Sequence, residues 1–135
     1  FAGGEAGSVS SINYVKNGIA GMLENVPREK LIGGVPFYTR LWTEAGDGTI
    51  TSKAMGIAEE KRWVDNNQVE LTWQADTAQY YGEVQTSDGA QFLWMEEERS
   101  LKEKMNVIRQ NDLAGVACWK LGFEDSAAWD SIQWN

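Results

Sequence analysis

Tyr38, Arg40 and Trp42 alternate along one short run, and Trp119 closes a second. Residues two apart on a strand project to the same side, so the first three could line one surface. A Tyr hydroxyl and an Arg guanidinium bind sugar oxygens or acidic neighbours, and an indole face stacks on the apolar face of a pyranose. Trp94 and Glu97 add a further ring and a further carboxylate. Each has a plainer reading. Trp119 could be core, Arg40 could tie two parts of the chain by a salt bridge, and Trp94 could fill a small local core. Glu96, Glu97 and Glu98 read better as a solvated face or helix N-terminal charge cluster than as a catalytic pair.

Other chemistry is excluded outright. The chain has no His, so a Ser-His-Asp triad, a Cys-His dyad and a histidine metal site cannot be built. One Cys allows neither an internal disulfide nor a Cys-rich zinc site. Cys118 stands in the apolar run Gly115-Val116-Ala117-Cys118-Trp119 and reads as a small buried hydrophobe. No metal and no cofactor is expected. Trp63, Trp73, Trp129 and Trp134 read as structural.

The elements that must position these residues follow from periodicity. Residues 1–8 are Gly-rich and read as a loop. Ser10 or Ser11 can cap a helix with Ile12, Val15, Ile19, Met22 and Val26 on one stripe, ended by Asn25 and Pro27. Residues 31–38 are a near-continuous apolar run with central glycines, which reads as a strand of a parallel sheet buried on both faces. The run 113–121 reads the same way, preceded by a helix with Leu101, Met105 and Ile108 on one face and Ser100 with Glu103 as a capping box. A last short helix is expected over 126–132. Between the two strands, 53–63 reads as a short helix. Runs at 69–73, 78–84 and 91–95 read as short antiparallel strands, with Asp88-Gly89 as a hairpin signal. The fold class is α/β with an α+β insert: residues 1–42 and 97–135 as part of a barrel, 43–96 as the insert.

The 135 residues suit one domain, which can bury roughly 65–70% of its unfolded surface. Hydrophobic residues make up 42% and the net charge is −8. That charge repels phosphate backbones, so nucleic acid and anionic membranes are poor partners, and no run is long enough to span a bilayer. A (β/α)8 barrel takes about 250 residues, so two strand–helix elements make about a quarter of one. The chain also lacks an initiator Met and reads as a processed product or excised piece. Open strand edges then invite self-association.

The stretch Leu31-Ile32-Gly33-Gly34-Val35-Pro36-Phe37-Tyr38-Thr39-Arg40-Leu41-Trp42 resembles barrel strand seven of the family 18 glycoside hydrolases. Leu113 to Asp125 resembles strand eight, and Gln79-Tyr80-Tyr81 with Leu93-Trp94-Met95-Glu96-Glu97 and Ser100 resembles the family's α+β insertion domain. The resemblance implies a partial TIM barrel acting on N-acetylglucosamine glycans, chitin or peptidoglycan, in an extracellular, cell-wall or spore setting. It implies substrate-assisted retaining hydrolysis, in which the sugar's 2-acetamido group is the nucleophile. It makes Trp119 the floor under the reacting sugar, Tyr38, Arg40 and Trp42 cleft residues, and Trp94 and Glu97 a wall reaching more distant sugars. The family's Asp-x-x-Asp-x-Asp-x-Glu signature, whose last Glu is the general acid, has no counterpart here, nor has its Met-x-Tyr-Asp at strand six. The stretch alone is therefore expected to be inactive. Two other classes stay open: a carbohydrate-binding module with exposed Trp residues, and a structural assembly domain. Near-continuous apolar strands weigh against the first.

Overall fold

The computed structural model describes residues 5–134; residues 1–4 of the Gly-rich opening lie outside them. Helix α1 (Ile12–Leu23) starts at Ser11, whose side chain accepts from the Tyr14 N–H at 3.2 Å. Ile12, Val15 and Ile19 are buried, but Met22 is 49% exposed. The last turn of α1 lies along a shallow apolar groove beside Leu31 and Ile32, with nothing over it among the described residues. A single 3-10 turn, Arg28–Lys30, leads into β1 (Ile32–Pro36).

Leu31 to Trp42 is not one strand. It breaks at Phe37 into β1 and β2 (Tyr38–Glu44), which belong to different sheets. β1 pairs in parallel with β7 (Gly115–Trp119), from Ile32 opposite Gly115 to Pro36 opposite Trp119. β2 joins an antiparallel sheet with β3 (Ile50–Gly56), β4 (Leu71–Gln74), β5 (Gln79–Thr86) and β6 (Gly89–Trp94), in the order β3-β2-β6-β5-β4. The antiparallel sheet thus begins at Tyr38, whereas the boundary read from the sequence falls after Trp42. Helix α2 (Ile57–Asn66) starts four residues later than the periodicity suggests, because 50–56 pairs with β2. Phe37 is fully buried at the break, its ring edge-on to Trp129 at 5.4 Å.

Two cores result. The first joins α1, α3 (Glu98–Gln110) and α4 (Ser126–Ser131) to β1 and β7 through Ile19, Val35, Phe37, Leu101, Met105, Ile108 and Leu113. Gly33 lets this packing close in, since a Cβ would stand 2.5 Å from Ile108 Cδ1 and push that buried side chain aside. The second sets α2 on one face of the antiparallel sheet through Leu41, Met55, Leu93 and Met95, with Trp63 and Val64 against them. β1 and β7 are less buried than their apolar runs suggest: Ile32 is 58% exposed and Trp119 68%. A strand is buried on both faces only when layers cover both, and here helices cover one.

Helix α3 starts on a capping box formed by Glu97 and Ser100, not Ser100 and Glu103. The Glu97 carboxylate accepts from the N–H groups of Arg99 and Ser100, and Ser100 Oγ accepts from the Glu97 N–H. Glu98 and Asp125, the cap of α4, both pair with Lys61 of α2 at 2.5 Å, which ties three helices together.

Candidate functional site

Parallel pairing brings the C-terminal ends of β1 and β7 to one edge. The Phe37 N–H donates to the Trp119 carbonyl at 2.6 Å, so the turn into β2 is fixed against the end of β7. Trp119 closes β7 with its side chain in the open, and its peptide bond to Lys120 is cis. Beside it runs a cleft of about 270 Å³ lined by Val9, Ser10, Gly34, Pro36, Tyr38, Cys118 and Trp119. Cys118 is only half-buried and lines this cleft, with burial pushing its thiol up from the ordinary value.

A second cleft of about 310 Å³ adjoins it, lined by Glu5, Gly7, Ser8, Val9, Tyr38, Arg40 and Trp42. Tyr38 and Val9 border both. The alternation of β2 puts Tyr38, Arg40 and Trp42 on the face away from α2. Arg40 is held by β3 through hydrogen bonds from Nε to Ser52 Oγ at 2.8 Å and from Nη2 to the Ser52 carbonyl at 3.3 Å. These bonds take the place of the salt bridge considered from the sequence. Trp42 Nε1 donates to the Gly7 carbonyl at 2.9 Å, which pins the 5–9 segment as the far wall. Tyr38 packs against Phe123, with ring centroids 6.2 Å apart.

Trp119, Tyr38, Arg40 and Trp42 are therefore brought together. Trp94 lies on the same sheet face as Trp42 but lines neither cleft. Glu97 stands apart: it is 9% exposed, and its carboxylate is taken up by the cap of α3. Glu96 is not a solvated residue either. It is fully buried, with its oxygens 2.9 and 3.0 Å from the equally buried Lys104 Nζ.

Sequence reasoning missed this buried group. The Glu96 carboxylate also accepts from Ser100 Oγ at 2.7 Å and from Gln79 Nε2 at 3.3 Å. Gln79 in turn accepts from Ser8 Oγ, in the segment that walls both clefts. Glu60 of α2 approaches from the other side, and its Oε2 accepts from the Glu96 N–H at 3.3 Å. Burial drives the Glu60 carboxyl well above the ordinary range. The Glu96 N–H works against that, and the charges of Glu96 and Glu97 add to it. The Glu96 carboxyl is raised too, by burial that Lys104 and Ser100 only partly offset. A signal was available: Lys104 lies between Leu101 and Ile108, within the apolar stripe of α3.

Fold and cleft together place the chain in a class. Residues 5–124 match the model of the glycosyl hydrolases family 18, and the chain belongs to that family. It is 26% identical over 131 residues to a protein of Bacillus subtilis (strain 168) named uncharacterized glycosylase YvbX, covering 96% of this chain and 38% of that protein. It is equally 26% identical to the cortical fragment-lytic enzyme of the same organism, covering 96% of this chain and 30% of that enzyme. The crystal structure of a chitinase from Chromobacterium violaceum ATCC 12472 shares the fold with a TM-score of 0.86 at 21% identity, over 95% of this chain and 39% of that one. The chain thus spans about a third of the length of the relatives it matches.

Proposed function

We propose that this chain is the part of a family 18 hydrolase that carries the last two strand–helix elements of a (β/α)8 barrel and the α+β insertion between them. In this reading β1 and β7 are barrel strands seven and eight, and the antiparallel sheet with α2 is the insert. The whole enzyme cleaves β-1,4-linked N-acetylglucosamine glycans, chitin or the glycan strands of peptidoglycan. The names of the relatives support a cell-wall or spore setting.

The observation that carries this reading is the placement of Trp119. Its indole is exposed at the end of a parallel strand, in the cleft that Tyr38 borders. Barrel enzymes work at the C-terminal ends of their strands. An indole beneath the reacting pyranose suits a positively charged, oxocarbenium-like transition state through contact and through its negative ring face. Tyr38 supplies a hydroxyl to the acetamide or to a ring hydroxyl. Arg40, fixed by Ser52, presents its guanidinium to a sugar oxygen or to an acidic neighbour, and Trp42 extends the wall. Trp94 lies farther along the same face, and Glu97 serves α3 rather than the sugar.

The acetamido oxygen attacks the anomeric carbon while a carboxylic acid protonates the leaving oxygen. Nothing in these 135 residues matches the signature that carries that acid or the Asp that orients the acetamide. A general acid is worth about 10²–10⁴-fold. The stretch by itself is expected to bind glycan and not cleave it. Calorimetric titration with tetra-N-acetylchitotetraose tests the first half: saturable binding, lost in Trp119→Ala, is expected. Product release above a buffer blank would contradict the second half.

A further inference from the structure

One wall serves both clefts, and it is a loop. Gly7, Ser8 and Val9 line the second cleft, Val9 and Ser10 the first, and residues 5–9 form neither helix nor strand. A loop with no ladder of its own keeps one shape only where other groups take up its polar atoms. Trp42 takes the Gly7 carbonyl. The other hold comes from the turn that enters β5. Ser8 Oγ donates to Gln79 Oε1 and accepts from the Ser10 N–H at 3.2 Å. Four residues on, the Ile12 N–H donates to the Thr77 carbonyl at 2.8 Å. The turn 77–79 therefore grips the chain twice, at the wall and at the first residue of α1.

Gln79 suits this task because its amide cannot turn over. The side chain is buried, and its Nε2 donates to Glu96 Oε2 at 3.3 Å. Glu96 is itself fixed by Lys104 and Ser100. Rotating the amide by 180° would set its carbonyl oxygen against the Glu96 carboxylate, two acceptors with no proton between them. The Gln79 oxygen is thereby committed to Ser8, and Ser8 must donate. The chain of bonds runs from Lys104 of α3 through Glu96 and Gln79 to the wall. A buried polar chain satisfied at each link rigidifies what it joins.

We infer that Gln79 is a positioning residue for the glycan cleft. It acts through Ser8, fixing the 5–9 wall opposite Tyr38 and Trp42, and does not touch the sugar. The inference rests on the glycan reading above and adds that the antiparallel sheet sets the width of the cleft from behind.

The test pairs hydrogen exchange of the indole N–H groups with calorimetric titration by tetra-N-acetylchitotetraose. It compares the 135-residue chain with Ser8→Ala, Ser8→Thr and Gln79→Met. Trp42 Nε1 donates to the Gly7 carbonyl, so its exchange reports the wall. Trp63 Nε1 donates to Gln91 Oε1 at 3.2 Å on the opposite side of the sheet, so its exchange reports the fold. Ser8 is only half-buried, so Ser8→Ala tests the wall even if Gln79→Met fails to fold. Ser8→Ala and Gln79→Met should speed exchange at Trp42 severalfold and leave Trp63 unchanged. Both should weaken the tetramer about three- to tenfold, the worth of one hydrogen bond. Ser8→Thr keeps the hydroxyl and should restore both values. Exchange that rises equally at Trp42 and Trp63 would make the bond a general support of the fold and overturn the inference. A folded Ser8→Ala chain with unchanged tetramer affinity would overturn it as well, whether or not Trp42 is loosened. If the wild-type chain binds no tetramer while Ser8→Ala still loosens Trp42 alone, the glycan reading falls and the anchored wall stands.

Discussion

At the scale of single residues, Trp119 and the Glu60–Glu96–Lys104 group make opposite demands. Trp119 is 68% exposed, so Trp119→Ala should change stability by less than about 0.5 kcal/mol while abolishing glycan binding. Chemical denaturation beside calorimetry checks both halves. Lys104 is fully buried against Glu96, and Lys104→Met alone would strand a buried charge. A loss of about 3–5 kcal/mol in urea unfolding is expected. Glu60 gives a pH dependence. Its folded pKa lies well above that of an unfolded Glu, so the folded state holds the proton more tightly. Its stabilising contribution is complete below the unfolded value of about 4.3 and is lost as pH rises toward the folded value. Glu60→Gln should therefore be the more stable form at neutral pH, with the gap closing below about pH 4. Denaturation midpoints of both proteins across pH check this, and a gap that widens on acidification would contradict it. That Tyr38, Arg40 and Trp42 share one side was legible from strand alternation, whereas a sugar cleft on that side was implied only by the family resemblance. The buried charges were not legible. Three consecutive Glu residues look solvated in sequence, and only the turn from β6 into α3 separates buried Glu96 from partly exposed Glu98.

At the scale of elements, Glu97 sets the capping of α3 against substrate contact. Loss of a cap costs about 0.5–2 kcal/mol. Glu97→Ala should lower stability by that much and leave glycan affinity unchanged, as thermal melting and calorimetry would show. The β5–β6 hairpin depends on Gly89, whose φ is +124° and whose Cβ would stand 2.1 Å from the Glu44 carbonyl oxygen. Gly89→Ala should destabilise the sheet by more than 1 kcal/mol, since backbone cannot yield as a side chain does. The hairpin was readable from Asp88-Gly89, and the helices from stripes and caps. The break at Phe37 was not. An apolar run records burial but not which sheet each half joins, and that is decided by β3 and β6 arriving to pair with Tyr38–Glu44.

At the scale of the whole molecule, the two-stranded parallel sheet has an edge of β1 and an edge of β7 unpaired among the described residues. Ile32, Tyr14 and Met22 lie exposed near the first. Unpaired edges and uncovered apolar surface favour association, so light scattering on the isolated chain should report species larger than 15.1 kDa as concentration rises. The resemblance to family 18 was readable from two apolar runs in the right order. The most direct measurement is a two-dimensional NMR spectrum of the seven indole N–H groups, recorded while tetra-N-acetylchitotetraose is added. Saturable shifts at Trp119 and Trp42, with Trp63 and Trp129 unmoved, are the predicted result. A spectrum in which Trp119 stays still at saturating glycan would contradict the assignment of this cleft to a sugar.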